Sequence, residues 1–234
     1  MNSFNKLLFV TLVLFSHAVL AESWYQVEVV VFDRLNPNLD GEQWQYQEFE
    51  IRNNTVELQA ASDTSLVPYS ILDKSRNRLN GVYRYFKLSS DFRPLYHVSW
   101  QQEATERREA RYVHIQRLEG GQTIPVIKTE ELNEVAITND EPAFIEEMIM
   151  PDKIIDGSIR IRSGFYLHAD VDLSYFTPLP AENKVLRSSE ESLSSGFDKT
   201  EIKLKETRKI KLNEIHYFDH PMFGVVLQVS RLSI

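Results

Sequence analysis

The sequence predicts an α+β fold: a largely antiparallel β-sheet with one main amphipathic helix packed on it, joined by long polar and acidic loops. Three observations lead there. Several stretches alternate apolar and polar residues, the period of a half-buried strand. One stretch instead places apolar residues at i, i+3, i+4 and i+7, the stripe of a helix lying on a sheet. The order along the chain is strand, helix, strand, then several further strands, which is the arrangement of an α+β domain.

The first 21 residues, MNSFNKLLFVTLVLFSHAVLA, read as a secretory signal peptide and lie outside the predicted fold. They carry one lysine, Lys6, an apolar run from Leu7 to Phe15, and small residues Val19 and Ala21 at the cleavage spacing. That run is shorter than the roughly 20 residues needed to span a bilayer, and no later stretch is long and apolar enough. The expected mature chain starts near Glu22 and has no membrane span. With no cysteine anywhere, neither disulfides nor an acylated cysteine anchor is expected. Residues 22–234 suffice to bury a core without covalent staples, and a single domain is expected.

The elements follow in order. In WYQVEVVVF, Tyr25, Val27, Val29 and Val31 alternate with Gln26 and Glu28, and the β-branched content favours a strand. Residues 33–74 read as a long loop. In SRNRLNGVYRYFKLSSD, Leu79, Val82, Tyr83 and Phe86 form the helical stripe, weakened slightly by Gly81. LYHVSW (95–100) is the next strand. DEPAFIEEMIMP suits a short second helix with Pro142 in its first turn. From Ile159 to Tyr175, Ile159, Ile161, Phe165, Leu167, Ala169, Val171, Leu173 and Tyr175 share one face; Arg160, Arg162, His168, Asp170, Asp172 and Ser174 share the other. As one flat strand this would extend about 55 Å, so a bend, bulge or turn is expected at Ser163-Gly164. Residues 178–196, rich in Ser, Glu and Pro, read as a flexible loop. A third alternation sets Ile202, Leu204, Ile210 and Leu212 against Lys203, Lys205, Lys209 and Lys211, and GVVLQVS (224–230) is the last strand.

Charge is uneven. Without Lys6 the chain has 25 basic and 34 acidic residues, a balance of −9. Residues 129–152 hold eight of those acids (Glu130, Glu131, Glu134, Asp140, Glu141, Glu146, Glu147, Asp152) and no base, which leaves the rest near −1. This acidic insertion reads as a solvated loop or as a docking surface for a basic partner, with Glu130, Glu131, Glu134, Glu146 and Glu147 as its candidate contacts. No basic stripe dominates, so nucleic acid is not an expected ligand.

Catalytic constellations are missing. The chain has no G-x-S-x-G elbow, no H-E-x-x-H, no phosphate-cradling loop and no cysteine nucleophile. Asp170 and Asp172 fall on a polar strand face, where solvated side chains are the expectation. His216 and His220 would share a helix face and could bind zinc there. Pro221 instead biases what precedes it toward extended backbone, where four residues separate side chains by about 13 Å. His216-Tyr217-Phe218 therefore reads as a strand end and Asp219-His220-Pro221 as a turn, with Asp219 bonding its own backbone two residues on. No metal site, no cofactor and no catalytic residue are expected.

LSSDFRPLYHVSWQQ (88–102), GFYLHADVDLSYF (164–176) and TRKIKLNEIHYFDHPMFGVVLQVSRL (207–232), together with the N-terminal WYQVEVVVF, resemble the CsiV family. HYFDHP followed by Gly-Val-Val is the most specific block. The resemblance implies a periplasmic protein without known catalytic activity that binds peptidoglycan. It implies action with an outer-membrane lipoprotein that activates a class A penicillin-binding protein, the synthase that polymerises and cross-links the wall. The chain departs from the family pattern where an arginine pair and a serine precede HY-DHP, keeping Arg208 among lysines, and at Phe165, where arginine is common.

Peptidoglycan offers sugar faces for aromatic stacking and stem-peptide carboxylates for cations. The candidate binding residues are accordingly Lys203, Lys205, Arg208, Lys209, Lys211 and His216, with Tyr166, Tyr217 and Trp100 as stacking candidates. Edge-strand protection is the competing role for the lysines, and core packing that for Trp24 and Trp100; Trp44 lies in a polar segment. Two other functions stay open: a wall-modifying hydrolase using Asp170, Asp172 or Asp219, and a periplasmic scaffold that contacts only proteins through the acidic segment.

Overall fold

The computed structural model describes residues 24–38, 54–60, 66–121, 152–178 and 199–232. The expected signal peptide, Trp44, the short helix around Pro142, the loop beyond Pro178 and the acidic segment up to Pro151 lie outside those residues.

The alternating stretches form strands, and they sort into two five-stranded sheets. In sheet A, β1 (Trp24–Arg34) lies between β4 (Phe92–Glu103) and β10 (Phe223–Arg231), antiparallel to both, with β3 (Ser70–Ile71) and β9 (Ile215–Asp219) at the edges. Sheet B runs β2 (Thr55–Val56), β5 (Tyr112–Leu118), β6 (Lys153–Arg162), β7 (Leu167–Pro178), β8 (Lys199–Ile210). All its pairings are antiparallel except β2 with β5. The fold is α+β and mostly antiparallel sheet, with α1 (Asn80–Leu88) the one α-helix among the described residues. The long loop expected from Asp33 starts later, after Arg34, and contributes β2 and β3, two-residue strands too short for alternation to register.

Two sheets form where one was expected because each sheet has an apolar face that must be covered. Val27, Val29 and Val31 of β1 and Val225, Leu227 and Val229 of β10 share one buried cluster with Ile155, Ile159 and Ile161 of β6 and Val171 and Leu173 of β7. Trp100 is fully buried in that cluster, and Trp24 packs with Leu72 and Leu232, so both tryptophans are core and not platforms. A polar link also joins the sheets: Tyr175 of β7 donates its hydroxyl to Asp33 Oδ2 at 2.8 Å, and Arg93 pairs with the same carboxylate. Burial, with Asp33 adjacent, raises the Tyr175 pKa to about 12.

The predicted turn at Ser163-Gly164 exists and makes β6 and β7 a hairpin, in the register Arg162↔His168 to Ile155↔Tyr175. Phe165 does not share the apolar face as its spacing suggested. It sits at the hairpin tip and is 92% exposed. The polar positions Arg160, Arg162, Asp170 and Asp172 lie on the outer face of sheet B.

Helix α1 covers the outer face of sheet A. Leu79 and Phe86 pack with Val30, Phe32 and Val226, and the Phe32 and Phe86 rings stack at 4.0 Å. Glu28 therefore occupies a polar position yet is 1% exposed. Its carboxylate accepts the backbone N–H groups of Arg78 at 2.6 Å and Leu79 at 2.9 Å, donors that a helix entry leaves unpaired. It also meets His97 Nε2 at 2.8 Å.

At the other end of sheet B, His114 is clamped between Glu57 (Nδ1, 2.6 Å) and Asp156 (Nε2, 2.8 Å), which fastens the β2 segment onto β5 and β6. Burial opposes charge on the ring, but the two carboxylates outweigh it and raise its pKa to about 9. A raised folded-state value stabilises fully below the unfolded value of about 6.5 and stops doing so as pH climbs through about 9. A shift of this size corresponds to about 3 kcal/mol, and solvent screening of the half-exposed Glu57 reduces it to roughly 2. Urea unfolding of the native chain should thus lose stability between pH 6.5 and 9.5 relative to His114→Gln. Parallel pH profiles for the two proteins would show that the clamp carries no charge.

Candidate functional site

The outer face of sheet B carries a groove of about 290 Å3 lined by residues from β5, β6, β7, β8 and the turn before β5. Its floor is an ion network built by strand register. Arg160 pairs with Asp170 across β6–β7, and Asp170 with Thr207 across β7–β8, so alternation sets all three on one face. The Asp170 carboxylate accepts from Arg160 Nε at 2.8 Å, Arg162 Nε at 3.2 Å and the Thr207 hydroxyl at 2.8 Å. Burial alone would raise its pKa; the Thr207 hydroxyl and the Arg160 and Arg162 guanidiniums more than offset that and hold it below the usual carboxylate range. The expectation of a solvated Asp170 is overturned: the residue is 7% exposed, because two arginines from the neighbouring strand fold over it.

Asp172, two residues along, lies 3.6 Å from Lys203 Nζ and 3.9 Å from Lys205 Nζ. Beyond Thr207, the Lys209 ammonium sits 2.9 Å above the centre of the Tyr166 ring. Arg160 lies 4.2 Å over the Tyr112 ring in the same manner. Arg107 closes the rim. Its turn is tied to the end of β6 by a bridge between Glu106 and Ser163 and by Ser163 N–H donating to Thr105 O at 2.7 Å. Four cations (Arg107, Arg160, Arg162, Lys205) thus line the groove against three carboxylates (Asp170, Asp172, Glu206), of which Glu206 is paired to Arg208, and Lys203 and Lys209 stand beside it. The face has a surplus of positive charge suited to an anionic ligand.

Of the nine residues expected to bind, Trp100 is core, and the other eight do not form one surface. Lys203, Lys205, Lys209 and Tyr166 lie in or beside the groove. Arg208 points to the opposite side of β8, where it donates to the Tyr217 carbonyl at 2.7 Å and lies 5.0 Å over Phe218. Lys211 leaves the lysine face, because β8 ends at Ile210; it pairs with Glu214 at 3.1 Å. His216 Nε2 accepts the Lys211 N–H at 3.0 Å, closing the turn between β8 and β9.

Tyr217 belongs to the outer face of sheet A. Its ring stacks on Phe32 at 5.9 Å, and its hydroxyl donates to Asp219 at 2.5 Å and accepts from Arg34 at 3.0 Å. Burial, with Asp219 adjacent, raises its pKa to about 12, while Tyr217 and Arg34 overcome the effect of burial on Asp219 and lower it. HYFDHP is a strand end and turn as predicted, but Asp219 does not cap it. Two residues on stands Pro221, which has no N–H; His220 Nδ1 instead accepts the Met222 N–H at 3.2 Å. Among the described residues no group of three His, Asp or Glu side chains is placed to hold a metal ion. No helix among them is long and apolar enough to cross a membrane.

Arg107, Arg160, Arg162, Tyr112 and Thr207 were absent from the sequence-derived site. The two β6 arginines carry a usable signal, since they share the polar face with Asp170 in the alternation. Arg107 carries none, because a tertiary bridge brings it to the groove.

No curated protein and no solved structure matches the chain. The family model described as "Peptidoglycan-binding protein, CsiV" matches residues 5–232, nearly its whole length. The chain belongs to the CsiV family, and membership implies that it binds peptidoglycan.

Proposed function

We propose that this protein is a periplasmic, non-enzymatic peptidoglycan-binding protein that supports cell-wall synthesis together with an outer-membrane lipoprotein that activates a class A penicillin-binding protein. The observation that carries the reading is the cation-rich groove on the outer face of sheet B in a chain of this family. The N-terminal segment supports export, and residues 22–234 act as one domain around the core shared by the two sheets. Binding is favoured over hydrolysis by the state of the carboxylates. Asp170 and Asp219 are ion-paired with depressed pKa values, whereas a general acid needs a raised one, and Asp172 is shared between two lysines.

The acidic segment, through Glu130, Glu131, Glu134, Glu146 and Glu147, is the proposed contact for the lipoprotein partner. Purified mature protein should sediment with isolated sacculi, and digests of those sacculi should show no muropeptide released by it. Absence of sedimentation with and without the lipoprotein would sink the wall-binding reading, and release of fragments would favour a hydrolase. Deleting residues 130–152 should abolish capture of the lipoprotein while sparing sacculus binding. The reverse pattern would assign the acidic segment elsewhere.

A further inference from the structure

We infer that the groove on sheet B recognises the free carboxylates of peptidoglycan stem peptides and not the faces of the glycan sugars. This rests on the peptidoglycan-binding reading and names the part of the polymer that the site takes. Sugar recognition needs an aromatic ring with an open face, and the one ring lining the groove lacks it: Tyr112 lies under the Arg160 guanidinium and is 7% exposed, while Tyr166, 48% exposed with the Lys209 ammonium on its ring, stands beside the groove and not in it. Beside the carboxylates of Asp170, Asp172 and Glu206, what lines the groove is cationic N–H. Arg162 spends only Nε on Asp170, and its two terminal nitrogens have no partner among the described residues. Arg107 is exposed and makes no ion pair or hydrogen bond there. Lys205 is held loosely, 3.9 Å from Asp172, with its side chain 61% exposed.

Two guanidiniums with unspent N–H groups converging on one groove are the arrangement that grips a carboxylate bidentately. Asp170 strengthens it by holding the Arg162 guanidinium at Nε alone, which leaves the two terminal nitrogens unspent. The size agrees. A groove of about 290 Å3 is at the lower bound of ligand sites and takes a peptide end more readily than a run of sugars.

The test compares intact sacculi with sacculi whose stem carboxylates have been converted to neutral amides by carbodiimide and methylamine, using the native mature chain. Amidation should weaken binding by at least about tenfold, the loss of one or two charge-assisted contacts. Arg107→Ala should weaken binding to intact sacculi severalfold. The charge-matched Lys87→Ala, on the helix across the molecule, should leave it unchanged. Because Arg107 has no hydrogen-bond or ion-pair partner among the described residues, its loss leaves the Asp170 ion network intact, and the amidation arm needs no variant at all. Equal binding to both forms overturns this assignment alone. No binding to either form overturns it together with the wall-binding reading, and an equal loss for Arg107→Ala and Lys87→Ala reduces it to non-specific charge attraction.

Discussion

Asp170→Ala should destabilise the protein by about 3 kcal/mol, since removing one member of a buried ion network strands its partners, and should abolish groove binding in the same stroke. Asp170 is the acceptor shared by Arg160, Arg162 and Thr207, and both arginine side chains are less than one-fifth exposed. Without it, two like charges on adjacent positions of one strand face repel, and the Arg162 fork loses its orientation. Thr207→Val removes one neutral donor and should cost only about 1 kcal/mol, which separates the network from the general effect of mutating that face. Because the Asp170 pKa is depressed, its contribution is complete above about pH 4 and is lost as pH falls through the depressed value. Urea midpoints and sacculus sedimentation read the two effects. A variant that keeps native stability, or loses stability while binding normally, contradicts the role given to this carboxylate.

Gly157→Val should be at least as damaging to the fold. Gly157 lies within β6 at φ +152°, and a Cβ there would collide with the Asp172 carbonyl oxygen and stand 2.7 Å from Leu173 Cα. Both obstacles are backbone of the adjacent strand, so no side chain can swing aside. Overpacking together with a strained backbone gives a loss of about 3 kcal/mol or more, which in a domain of this size lowers Tm by roughly 6–12 °C. Calorimetry decides. An unchanged Tm would mean that β6 and β7 separate there without cost.

Periodicity accounts for what was legible in the sequence. Val27, Val29 and Val31, or Ile159 and Ile161, declare a strand and its buried face because burial repeats every second residue. Leu79, Val82, Tyr83 and Phe86 declare a helix in the same way. Periodicity does not say what covers a face, so the alternation gave no hint of two sheets, nor of Glu28 being sealed beneath α1. The same blindness scattered the candidate site. Lys203, Lys205 and Lys209 share a face by simple alternation, and the groove lies there. Lys211 was counted with them although the chain turns one residue earlier. Tyr217 stands close to the lysines in sequence, yet a change of sheet between β8 and β9 sends it to the opposite side of the molecule. Arg107 reaches the groove only through the contact between Glu106 and Ser163, which no local pattern encodes.

The pairing of β1 with β10, from Tyr25↔Arg231 to Asp33↔Phe223, governs when this protein can fold. The middle of sheet A joins residues about two hundred positions apart in sequence, and contacts of that separation are the slowest to form. A chain emerging from its N-terminus holds β1 with one flank open until its last strand arrives. A chain captured before β10 is made should therefore show no cooperative sheet A, and folding becomes an event of completion, not of synthesis.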